Sequence, residues 1–138
     1  MLHRIEEKIK SIKKLLAILE DLKPDCEDKF LDDIIYQGAL LHYLYLVSDS
    51  SIALAEMIIK HKKLSKSTSY YESIDVLGEH NIIPAKFAYD FAKIASFRNF
   101  LAHHYEKIDY KEICENTLSK LDEVKEYIGY IEESLKIK

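Results

Sequence analysis

The stretch "SFRNFLAHHYEKID", Ser96 to Asp109, sets an arginine, an asparagine, two adjacent histidines and a tyrosine among Phe, Leu and Ala. Scarce Gly and Pro around it let it be read as the end of a helix that begins near Pro84, where proline suits a first helical turn, and runs to about His104. At about 100° per residue, Lys86, Asp90, Lys93 and His104 share one narrow polar strip, and Phe87, Phe91, Ile94 and Leu101 lie on another side. Arg98 and Tyr105 fall on that apolar side, seven residues apart and nearly in line, with Asn99 and His103 four apart on a flank. A guanidinium on an apolar face is costly unless something pairs with it. Three arrangements are open for Arg98: its tip reaches solvent past its neighbours, it is buried against an acid from another helix, or it lines a groove that receives an anion.

Outward from this helix, the same periodicity predicts four others. The first covers Leu2 to Leu22, where Ile5, Ile9, Ile12, Leu16 and Leu19 step by 4, 3, 4 and 3 along one face. The second runs from about Asp28 to His61, apolar on most sides, with Gly38 or the "SDSS" run at Ser48 to Ser51 as places for a kink. A short third helix spans about Ser69 to Glu79, capped by Thr68 or Ser69. The fifth covers Asp109 to Leu135, with Asp109 as cap and a stripe of Ile113, Thr117, Leu121, Val124, Ile128, Ile131 and Leu135. The expected fold is an all-α antiparallel bundle of about five helices, one domain over residues 1–138.

Bulk composition agrees. With 138 residues, 48% of them apolar and only three Gly and two Pro, the chain can bury one core and favours helix. No apolar run approaches the roughly 18 residues of a membrane span. The N-terminus carries charges inside its apolar pattern, unlike a signal peptide. A net charge of −4 argues against broad non-specific nucleic-acid binding. Lys60, Lys62, Lys63 and Lys66 nevertheless make a basic cluster, either a solvated helix end or a steering patch for a polyanion. Cys26 and Cys114 match no metal-ligand spacing and read as free buried thiols in a reducing, cytoplasmic setting.

The polar set near Arg98 suits phosphate chemistry. Arg offers planar donors to a phosphate, and His moves a proton near neutral pH. His103 or His104 alone would also serve as a capping cation at a helix end, and a metal site is not expected, although His42 is a candidate to approach in space. If Arg98, Asn99, His103 and Tyr105 converge, the reaction they suit is RNA cleavage by internal attack. There the ribose 2′-hydroxyl attacks the adjacent phosphorus, His103 serves as general base or acid, and Arg98 stabilises charge on the phosphoryl oxygens. A phosphate-gripping binding module and a plain structural bundle are the alternatives.

The pattern Arg98-x4-His103-x-Tyr105, with Asn99 after the arginine, resembles the HEPN superfamily and specifically the HepT-like toxins of HepT/MntA toxin–antitoxin systems. "SYYESIDVLGEHNIIP", "FRNFLAHHYEKIDYKEI" and "SIALAEMIIKHK" extend the likeness to roughly Asp33 to Glu133. The resemblance implies a homodimer in which two motif helices face each other over one composite site. It also implies a metal-independent ribonuclease without a cofactor of its own, with Arg98 and His103 at the catalytic positions and Asn99 and His104 beside them. The implied partner is an MntA-like nucleotidyltransferase antitoxin that uses ATP to transfer AMP to Tyr105. The alternative within the family is a non-catalytic HEPN module that binds a nucleotide or the partner. Many relatives carry an acid in the middle helix near Ala53; Asp49, one turn earlier, is the candidate replacement.

Overall fold

The computed structural model describes residues 1–64 and 72–137, with Tyr105 described by its backbone alone. Helix α1 spans Leu2–Leu22 and buries the predicted stripe of Ile5, Ile9, Ile12, Leu16 and Leu19. Each such side chain contributes about 2 kcal/mol when removed from water, so the local 3.6-residue period is enough to seat this helix.

The second predicted helix is divided. After α1 the chain makes a 3-10 turn at Lys23–Asp25 and a single α-helical turn, α2, at Cys26–Lys29. Phe30 is buried, and its carbonyl accepts from the Gln37 side chain at 3.2 Å. The Asp33 carboxylate then starts α3 (Ile34–His61) by accepting from the backbone N–H groups of Ile35 and Tyr36, each at 3.1 Å. From there α3 runs unbroken through Gly38 and the Ser48–Ser51 stretch. The buried hydroxyls of Ser48 and Ser51 donate back to the carbonyls of Leu44 and Val47, both at 2.8 Å, so they are satisfied within the helix.

Helix α4 covers Ser73–Glu79; the proposed caps Thr68 and Ser69 lie outside the described residues, as does Lys66. Pro84 caps α5 (Ala85–Phe91), and after a turn at Ala92 and Lys93 the chain resumes as α6 (Ile94–His103). A continuous helix from Pro84 to His104 is therefore not what forms. No Gly or Pro marks the break; the two halves answer to different partners. Phe87 stacks on Phe91, which packs 4.5 Å from the Tyr127 ring, whereas α6 packs against α3. The helix also ends at His103, so Tyr105 is not in line with Arg98 on one helix. It begins a 3-10 turn at Tyr105–Lys107.

Beyond the motif, Asp109 accepts from the Lys111 backbone N–H at 3.0 Å. The next segment, Glu112–Thr117, is π-helical rather than α-helical, followed by a 3-10 turn at Leu118–Lys120 and α7 at Leu121–Leu135. The wider turn brings Ile113 and Leu118, five apart, into the core together. It thus rephases the predicted stripe before Leu121, Val124, Ile128 and Ile131 take it up. Tyr127 is fully buried and its hydroxyl donates to the Ser51 carbonyl at 2.8 Å, pinning α7 to α3.

The expected free thiols are overturned. Cys26 and Cys114 form a disulfide across 88 residues. The return of the π-helical segment onto α2 brings their Cα atoms to 5.6 Å, inside the range a disulfide spans. Among the described residues all secondary structure is helical, and no helix is long and apolar enough to cross a membrane.

Candidate functional site

Arg98 lies in the middle of α6, with α3 alongside. Of the three arrangements open to it, the paired one forms. Its Nε donates to Asp49 Oδ1 at 3.0 Å, and its Nη2 donates to the Tyr45 hydroxyl oxygen at 3.0 Å. Nη1 donates to the Asn99 side-chain oxygen at 3.1 Å. Cζ sits 5.2 Å from the centre of the Tyr45 ring, within cation–π range.

Tyr45 and Asp49 are four residues apart on α3, and so share the face that meets α6. The arginine side chain is 23% exposed and the aspartate 45%. The pair sits at the protein–water boundary, where the guanidinium plane is fixed without leaving solvent. Asp49 is the acid the sequence offered in place of one near Ala53, and here it accepts from Arg98. Tyr45 was not anticipated. The signal was a Tyr and an Asp one helical turn apart in a helix otherwise apolar on most sides.

His103 is the last residue of α6 and is exposed. His104 has left helical geometry, with φ −127° and ψ 25°; its backbone N–H donates to the Phe100 carbonyl at 2.8 Å, and its ring lies 5.9 Å from the Phe100 ring. The two neighbouring imidazoles are therefore not equivalent. His104 leans back over α6, while His103 stands at the helix end, five residues beyond Arg98.

Lys60 lies in the last turn of α3, and Lys62 and Lys63 follow it, all exposed. Lys63 takes a positive φ of 55°, and the Leu64 N–H closes onto the Ile59 carbonyl at 2.9 Å, which is how a helix end turns away from its axis. Eleven residues of helix separate Asp49 from Lys60, about 16 Å along α3. The lysines thus flank the arginine and do not share its site. His42 is exposed on α3, and among the described residues no three His, Cys, Asp or Glu side chains gather as a metal site.

Beside α6 a groove of about 520 Å³ opens between α3, the α5–α6 turn and the segment after the motif, with Leu44, Phe97, Phe100, Ile108 and Ile113 among its walls. Phe100 remains 36% exposed. Phe100 thus leaves a large aromatic side chain at the surface of the motif helix, against the His104 ring and on the side of α6 away from Arg98.

A family model described as "Ribonuclease HepT-like" matches residues 5–131. The chain is 26% identical over 109 residues to a protein named tRNA nuclease HepT from Aphanizomenon flos-aquae (strain 2012/KM1/D3), across 79% of this chain and 74% of that one. Its fold is similar to that of a mutant MntA-HpeT toxin–antitoxin structure, with a TM-score of 0.82 and 21% identity, covering 94% of this chain and 98% of that chain. It is also similar to a tri-AMPylated Shewanella oneidensis HEPN toxin in complex with an MNT antitoxin, with a TM-score of 0.79 and 20% identity over 94% and 96% of the two chains. A cytosolic protein of unknown function from Bacillus subtilis, YutE, gives 0.80 and 16% over 97% and 90%. These structures show the fold to be of the HEPN type.

Proposed function

The chain belongs to the ribonuclease HepT-like family, and from that premise we propose that it is a HepT-type toxin, a metal-independent endoribonuclease acting in the cytoplasm and working as one domain over residues 1–138. Arg98, held by Asp49, Tyr45 and Asn99 five residues before the exposed His103, is the observation that carries this reading. A guanidinium fixed in its plane is pre-organised for a phosphate.

His103 takes the proton of a ribose 2′-hydroxyl. The 2′ oxygen bonds to phosphorus, and the bond from phosphorus to the 5′ oxygen breaks. The leaving 5′ oxygen takes a proton, for which His104 is the neighbouring donor. The products are a 2′,3′-cyclic phosphate and a 5′-hydroxyl. Arg98 faces the charge that grows on the non-bridging oxygens, with Asn99 supporting its orientation.

A homodimer with two α6 helices across one composite site belongs to this reading, as the family resemblance implies. Lys60, Lys62 and Lys63 at the end of α3, together with Lys66 further along the sequence, steer RNA toward that site. An MntA-like nucleotidyltransferase, spending ATP, silences the toxin by adding AMP to Tyr105. Tyr105 follows the α6 terminus by two residues, and each adenylyl group adds negative charge and bulk beside the phosphate path.

The test is incubation of purified protein with RNA in chelator, comparing wild type with Arg98→Ala and His103→Ala after melting curves confirm folding. Each variant is expected to lose at least about 100-fold in rate, and fragments should end in cyclic phosphate. Equal cutting by all three proteins would sink the assignment of these residues. The pairing of Arg98 with Asp49, which already offsets its charge, favours a second reading as a non-catalytic nucleotide- or partner-binding module. Nucleotide bound with RNA left whole in the same tubes is its signature. Co-expression with the nucleotidyltransferase should add mass in whole AMP steps, and Tyr105→Phe should abolish the gain.

A further inference from the structure

Tyr45 stands 53 residues before Arg98 on a different helix, yet its hydroxyl oxygen accepts from the Arg98 Nη2 at 3.0 Å. A phenol carries one proton and two lone pairs. With a guanidinium N–H filling one lone pair, the phenolic proton turns away from Arg98, and among the described residues it is donated to none. The ring is half-buried against the core and stays within cation–π range of the arginine. The hydroxyl is therefore held in place beside the guanidinium with its donor side unspent.

Resting on the reading of Arg98 as phosphate anchor, the geometry points to the Tyr45 hydroxyl as a second phosphate-binding donor of this site, supplied by α3 rather than by the motif helix. Arg98 donates to one non-bridging oxygen of the scissile phosphate, and the Tyr45 O–H donates to a non-bridging oxygen beside it. A hydroxyl that accepts from a cation is polarised into a stronger donor. Both bonds strengthen as charge builds on those oxygens in the transition state.

Tyr45→Phe keeps the ring beside the guanidinium and removes only the hydroxyl. The variant is compared with wild type on RNA carrying a single phosphorothioate at the scissile position, each diastereomer separately, because sulfur is a poor acceptor. On all-oxygen RNA the variant should lose about tenfold in kcat/KM, the size of one charge-assisted hydrogen bond, with an unchanged melting temperature. The wild type's sulfur penalty on one diastereomer should shrink toward one in the variant. Equal cleavage by the two proteins overturns the inference. So does a slowed variant that keeps the full sulfur penalty, since Tyr45 would then act only through Arg98. If wild type leaves RNA whole, the ribonuclease reading has failed by itself, and the hydroxyl is judged by binding of a 2′-deoxy oligonucleotide. About tenfold weaker binding by Tyr45→Phe upholds the donor, and equal affinity overturns it.

Discussion

Arg98 Nε meets Asp49 Oδ1 at 3.0 Å, tying α6 to α3 across 49 residues of chain. The aspartate is 45% exposed and the arginine 23%, so the bond lives at a wet boundary where such pairs stabilise a fold by less than about 1 kcal/mol. Its weight falls on orientation.

Asp49→Ala is accordingly expected to leave the melting temperature nearly unchanged while lowering kcat for RNA cleavage by about tenfold or more, because the guanidinium loses its fixed plane. Removing a carboxylate beside the phosphate path should at the same time lower KM. Steady-state kinetics separate the two effects; a variant whose kcat and KM both match wild type would mean that Asp49 does not orient the arginine.

The Cys26–Cys114 bridge closes a loop of 88 residues and staples α2 to the π-helical segment. Constraining so long a loop in the unfolded chain stabilises the fold by about 2–4 kcal/mol. Adding a dithiol reductant, or replacing both cysteines by serine, should lower the melting temperature by roughly 10 °C. Thiol counting with and without reductant reports the bond directly, and two free thiols in the oxidised native protein would rule it out.

Gly78 faces α5 so closely that a Cβ placed on it would lie 2.5 Å from the Ala88 Cβ. Neither atom is the flexible end of a long side chain, so α4 and α5 would have to separate. Gly78→Ala should therefore destabilise by about 1–3 kcal/mol despite alanine's better helix propensity. Urea denaturation measures it. The same substitution at Gly129, where an added Cβ meets no atom within 4 Å, should stabilise slightly.

Burial pushes the Tyr127 phenol far above its ordinary value, and Tyr36 is raised by burial and then by the nearby Asp25 charge. A folded-state value above the unfolded one of about 10 means that stability is whole below that pH and declines as pH rises through it, since only the unfolded chain gives up the proton. Phenolate absorbance should show fewer than the chain's ten tyrosines ionising before alkaline unfolding. Tyr127→Phe should cost about 1 kcal/mol at neutral pH, through the lost bond to the Ser51 carbonyl, and flatten the alkaline slope.

Local pattern carried much of this molecule. The stripe from Ile5 to Leu19 and the one from Leu121 to Ile131 lie in the core as their spacing requires, and the Arg98-to-Tyr105 pattern pointed to the family whose model matches residues 5–131. The break at Ala92 and Lys93 left no such mark. Alanine and lysine are both ordinary helix formers, and the chain turns there because Phe91 is drawn to Tyr127 while α6 is drawn to α3. The π-helical turn after Asp109 escaped for a similar reason: a wheel of fixed angle cannot register a segment whose angle changes.

From sequence alone came the helical class, the first helix, the stripe of the last helix from Leu121 onward and the identity of the polar set around Arg98, all of which depend on neighbours a few residues apart. Only tertiary structure decided that Arg98 is met by Asp49 and Tyr45, and that Cys26 is met by Cys114. Periodicity reports which face of a helix is apolar. Which two faces come together, and at what offset, is set by the fit of whole surfaces.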